Sequence, residues 1–143
     1  MNERSCLIIG CLAMFAAVAA GAFGAHALKS ALTPDLLAVW HTAVQYQAWH
    51  ALALLAVGLL MAPDASPLTA RIRALRAAAW LFLIGIVIFS GSLYLLALTG
   101  ERRLGAVTPL GGVAFLAGWL AFAWAALRTK RIGVRDDLPE SRL

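Results

Sequence analysis

The sequence predicts an all-α, polytopic membrane protein with four transmembrane helices and both termini in the cytoplasm, and three observations lead there. Of its 143 residues, 62% are hydrophobic and 13% charged, against about 45–50% and about 25% in an ordinary soluble domain. Four apolar runs, Cys6 to Leu28, Trp40 to Ala62, Ala77 to Leu98 and Pro109 to Leu127, hold no Asp, Glu, Lys or Arg. Each is close to the roughly 20 residues needed to cross a hydrocarbon core. Finally, nine Lys and Arg fall in the segments on one side of these runs and three on the other, and the richer side is the cytoplasmic one.

The predicted helices occupy about 6–28, 34–62, 74–98 and 109–128, within a single transmembrane domain spanning 1–131. A polar cytoplasmic tail, 132–143, follows. The first helix opens after Arg4 and places Gly10, Ala17, Gly21 and Gly24 at close helical spacing. In lipid, helices associate through close backbone approach and interhelical hydrogen bonds, so this small-residue face is expected to pack tightly. Arg4, the apolar run and Ala25-His26-Ala27 mimic a signal peptide, and Ile8-Ile9-Gly10-Cys11 mimics a lipoprotein box. The first helix is expected to be retained, because cleavage would discard a packing face and almost no apolar segment precedes Cys11. Both cysteines, Cys6 and Cys11, lie in this run and read as small packing residues.

Thr33-Pro34 supplies a capping hydroxyl and a proline at the first helical position for the second helix, which Pro63, Ser66 and Pro67 end. The third helix follows Arg71, Arg73 and Arg76 and stops before Gly100. Thr108-Pro109 repeats the capping pattern for the fourth, which carries Gly111, Ala114, Gly118 and Ala121 as a second small-residue face beside a bulky stripe of Phe115, Trp119 and Phe122. Trp80 and Trp124 each lie four residues from an arginine at the cytoplasmic boundary, and Trp40 occupies the opposite boundary, as interfacial aromatics do. The pI near 10.0 then reflects topology and attraction to anionic lipid, and no nucleic-acid partner is implied.

Polar residues crowd the outer half of the second helix: His41, Thr42, Gln45, Tyr46, Gln47, Trp49 and His50. The third helix adds Ser90, Ser92 and Tyr94 at matching depth, and the first adds His26 near its outer end. Polar groups inside a bilayer must be paired or face a hydrated cavity. The inner half of the runs is hydrocarbon apart from the two thiols, so the pattern suggests an outward-facing pocket closed below; a channel would need polar lining in both halves. The candidate pocket residues are His26, Gln45, Tyr46, Gln47, His50, Ser90, Ser92 and Tyr94. The competing reading makes the same side chains interhelical hydrogen-bonding groups.

Other chemistries are disfavoured. Bis-histidine haem needs two ligands at one depth, and His26 lies near the surface while His50 lies near the midplane. A metal site from His26, His41 and His50 would have to draw together three depths without help from a carboxylate or thiol. Ser90 and Ser92 have no carboxylate to orient a base. No acidic residue lies within a span to couple solute movement to protons. No cofactor, metal or catalytic residue is therefore expected, and the protein is not expected to be an enzyme.

Four strings stand in order along the chain: Gly21-Ala22-Phe23-Gly24-Ala25-His26-Ala27-Leu28, Tyr46-Gln47 with His50, Phe89-Ser90-Gly91-Ser92-Leu93-Tyr94, and Thr108-Pro109-Leu110-Gly111-Gly112 with Phe115-Leu116 and Gly118-Trp119. Together they closely resemble the YgdD/YwdK-like family of small inner-membrane proteins of unknown function. The resemblance runs from about Leu7 to Arg131. It implies a four-helix, multi-pass protein of the bacterial inner membrane with its first helix kept, and it brings no activity, substrate or catalytic residue. The residues thus lead to a non-enzymatic membrane protein whose outward polar pocket takes a small molecule or lipid headgroup. The alternatives are an accessory or assembly subunit of a membrane complex and a small-solute transporter. Its expected partners are the lipid bilayer and a homo-oligomeric or membrane-protein neighbour.

Overall fold

The computed structural model describes residues 1–61 and 69–128. The polar tail at 132–143, the prolines and serine that end the second helix, and Lys130, Arg131, Arg135 and Arg142 lie outside the described residues. Among the described residues the regular structure is entirely helical. Helix α1 runs Glu3–His26, α2 Pro34–Leu60, α3 Thr69–Gly85, α4 Gly91–Thr99 and α5 Thr108–Leu127. A π-helical turn, Ile86–Ser90, joins α3 to α4, so that 70–99 form one continuous apolar span. Four spans are long and apolar enough to cross a membrane.

Local chemistry sets the ends. The Asn2 side chain accepts a 2.8 Å hydrogen bond from the Ser5 amide, which starts α1 three residues ahead of the apolar run. Thr33 Oγ1 accepts from the Leu36 amide at 3.4 Å, with Pro34 in the first turn of α2. Gly100 closes α4 at φ +71°, a left-handed conformation that glycine adopts without a Cβ penalty, and its amide donates to the Leu96 carbonyl at 2.8 Å. Thr108 departs from its expected role. A 3₁₀ turn, Arg102–Ala106, leads into α5 through the right-handed Val107, so no capping geometry exists, and the Thr108 hydroxyl turns to Ser92 instead.

The helices are arranged in a row. α1 packs on α2, α2 on the third span, and the third span on α5. Glycines set the spacing of the outer pairs. Between the antiparallel α1 and α2, Leu55 lies over Gly10, Trp40 over Gly24 and Leu7 over Gly58; a Cβ at any of the three would come within 2.7–2.9 Å of the facing side chain. The third span and α5 interlock by alternation: Phe82 covers Gly118, Phe115 covers Gly85 and Phe89 covers Gly111. The small faces predicted on the first and fourth helices therefore meet the second and third helices within the chain. Ala17 is buried at the α1 interface, while Gly21 has looser surroundings, with Val44 at 3.5 Å. Apolar side chains such as Phe15, Leu120 and Leu127 face outward, about three-quarters exposed, as lipid contact requires.

Candidate functional site

The outer half of α2 directs its polar side chains to different neighbours. Helical geometry brings Tyr46 and His50 together one turn apart, and their rings lie nearly parallel with centroids 6.1 Å apart. His50 points toward the third span and α5. Its ring stacks on Phe115 at 3.4 Å and 11°, with Phe82 at 5.6 Å. Both ring nitrogens are occupied: the Trp119 indole N–H donates to Nε2 at 3.2 Å, and Nδ1 lies 2.7 Å from the Tyr46 carbonyl. A carbonyl can only accept and Nε2 is already accepting, so His50 is the neutral Nδ1–H tautomer. It bridges α2 to α5 and has no nitrogen left for a metal or a proton relay.

Gln47, the next polar position, faces the other way. Its Nε2 donates to the Ala13 carbonyl of α1 at 2.8 Å, and about two turns outward Trp40 Nε1 donates to the Ala20 carbonyl at 2.9 Å. In the third span, Ser92 lies 2.8 Å from the Thr108 hydroxyl and donates to the Phe89 carbonyl. Ser90 is buried and Tyr94 half-buried, and the hydroxyl oxygens of both are buried without a partner among the described residues. His26, His41 and Gln45 are exposed. The eight residues expected around one polar pocket are thus distributed over three interfaces and the lipid-facing surface. The reason is angular: neighbours in a helix differ by about 100°, so the consecutive Tyr46 and Gln47 cannot both face one partner.

The cavity beside Tyr46 and His50 is aromatic and opens sideways. It has a volume of about 490 Å³ and is lined by Tyr46, Trp49 and His50 of α2, Phe89 of the π-helical turn, and Pro109, Gly112, Val113, Phe115, Leu116 and Trp119 of α5. α2 and α5 share little backbone contact, and the side chains of His50, Phe115 and Trp119 span the gap between them. Trp49, Val113 and Leu116 form exposed rims. Tyr46 stacks on Phe89 at 4.4 Å, and its hydroxyl makes no hydrogen bond to another described residue. The sequence placed Phe115 and Trp119 in a bulky stripe on the fourth helix, outside the candidate pocket. The available signal was depth: His50 lies ten residues inward of Trp40 and Trp119 eleven inward of Thr108, at one level of the membrane.

Comparison with known proteins identifies the kin of this chain. The family model described as a protein of unknown function (DUF423) matches residues 20–112. The UPF0382 membrane protein YwdK of Bacillus subtilis is 46% identical over 122 residues, 85% of this chain and 95% of its own length. A UPF0382 membrane protein of Staphylococcus epidermidis shares the same identity over 85% of this chain and 94% of its own length. The UPF0382 inner membrane protein YgdD of Escherichia coli K12 is 42% identical over 96% of this chain and all of its own. No solved structure matches the chain. With its four apolar spans, the chain belongs to this family of unknown function and is an integral inner-membrane protein.

Proposed function

We propose that this protein is a non-enzymatic membrane protein that holds a lipid-soluble molecule in the cleft between α2 and α5. The observation behind this reading is the aromatic cleft itself, about 490 Å³ and open laterally, in the size range of small-molecule sites. With both His50 nitrogens committed, the polar atoms left on the lining aromatics are the Tyr46 hydroxyl and the Trp49 indole N–H at the rim. The matching ligand has an apolar, ring-bearing or chain-like body and one hydrogen-bonding group. It narrows the small molecule or lipid headgroup expected from the sequence, because Gln47, His50 and Ser92 bond between helices and His26 and Gln45 lie on the outer surface. Both termini are assigned to the cytoplasm by the arginine distribution.

The test is native mass spectrometry of the protein in nanodiscs, comparing wild type with Gly112→Leu. A Cβ at Gly112 makes ordinary van der Waals contact with the Phe89 ring at 3.8 Å, and Gly112 lines the cleft, so a leucine there is chosen to occupy it. A defined lipid-soluble adduct on wild type that disappears from the variant supports the cleft. Lipid retained in bulk proportions, or an adduct equally present on both proteins, rejects it.

A further inference from the structure

The side-chain oxygens of Ser90 and Tyr94 are buried and lack any partner among the described residues. Ser90 is 1% exposed. Hydroxyls on apolar helices ordinarily satisfy themselves by donating to a carbonyl one turn back, and here Thr42 donates to Ala38, Thr99 to Leu95 and Ser92 to Phe89 at 2.7–3.0 Å. Ser90 does not. It ends the π-helical turn, and the Ile86 carbonyl one turn back is engaged by the Gly91 amide. Such turns are rare and concentrate where a helix departs from regular packing to form a site.

Tyr94 follows Ser90 by four residues, so the two share a helix face with a rise of about 6 Å between them. Side chains on a helix lean toward its N-terminus, which carries the Tyr94 phenol back toward the level of Ser90. Trp40, at 4.6 Å, is the ring against which Tyr94 rests, and the Trp40 N–H is already given to Ala20. Two buried hydroxyls on one helix face that are bonded neither to each other nor to any other described residue are a pair that a bridging water can satisfy.

We propose that Ser90 and Tyr94 form a buried polar site, between α2 and the π-helical turn, that holds one bridging water molecule, which accepts from one hydroxyl and donates to the other. This site is separate from the aromatic cleft. The water offsets the cost of two oxygens otherwise left bare inside the membrane.

The experiment is a double-mutant cycle on the thermal midpoint of the full chain in nanodiscs, using Ser90→Ala, Tyr94→Phe and the pair. Each change removes one oxygen and preserves shape. A shared water predicts that each single variant melts several degrees lower, while the double melts no lower than the worse single. A rise or no change in either single variant, as expected of an orphaned dry hydroxyl, overturns the proposal; additive losses, meaning two separate partners, do so too. Because the chain has two tyrosines, ring-labelled wild-type protein gives a second readout that needs no variant to fold as well as wild type. Magnetisation transfer from water to the Tyr94 ring supports the site, and its absence overturns it.

Discussion

The indole N–H of Trp119 reaches across the cleft to Nε2 of His50 at 3.2 Å and joins two helices separated by 69 positions in sequence. An interhelical hydrogen bond in a membrane contributes on average about 0.6 kcal/mol, and at most about 2. His50→Phe retains a ring against Phe115 and deletes both hydrogen bonds, so it is expected to cost about 1–2 kcal/mol. Trp119→Phe should cost about the same. A cycle over the two, read by thermal unfolding in detergent, should find the double variant little worse than either single; strict additivity would deny the bond.

Gln47 and Gln45 differ by two positions and have opposite surroundings. Gln47 donates to the Ala13 carbonyl, whereas Gln45 is exposed. Gln47→Leu should destabilise the α1–α2 pair by about 1 kcal/mol, and Gln45→Leu should leave the midpoint unchanged or raise it slightly. Equal effects in the same unfolding assay would contradict the hydrogen bond.

The glycines rank by what stands opposite. A Cβ at Gly111 would run into the Phe89 backbone, which cannot rotate away, while one at Gly118 would meet the Phe82 ring at 2.7 Å, which can shift. At Gly91 nothing lies within 4 Å. Alanine should therefore cost most at Gly111, on the order of 2 kcal/mol or more, and less at Gly118. At Gly91 it should stabilise by about 0.5–1 kcal/mol through helix propensity. The order of the three midpoints checks the packing of α5 on the third span.

Cysteine labelling reads the orientation directly. Cys6 is buried and Cys11 sits on the lipid-facing surface of α1, so a membrane-impermeant maleimide should modify neither in intact cells. Ser30→Cys in the α1–α2 connection should be labelled from outside, and Asn2→Cys only after permeabilisation. The reverse pattern would place both termini outside.

Composition and charge fixed the membrane and the number of spans, because a bilayer imposes one requirement on every residue of a span irrespective of its neighbours. The start of α2 at Thr33-Pro34 was equally legible, since that signal is confined to a few adjacent residues. Thr108-Pro109 carried the same signal and folded differently, because Ser92, sixteen residues away, competes for the hydroxyl. The π-helical turn at 86–90 has no local signature. It accompanies the interlock of Phe115 over Gly85 and Phe89 over Gly111, which depends on two helices at once.

The same division holds for the site. The sequence by itself determined which side chains are out of place in lipid, Tyr46, Gln47, His50, Ser90 and Tyr94 among them, since that judgement needs only a residue type and a depth. Only the tertiary structure decided where each one turns: Gln47 to α1, His50 to α5, Ser90 and Tyr94 into a bare interface. Depth is a coordinate along one helix, readable at 1.5 Å per residue. Partnership is a matter of rotation about that helix and of which neighbour stands there, and the row order of the four spans settles it.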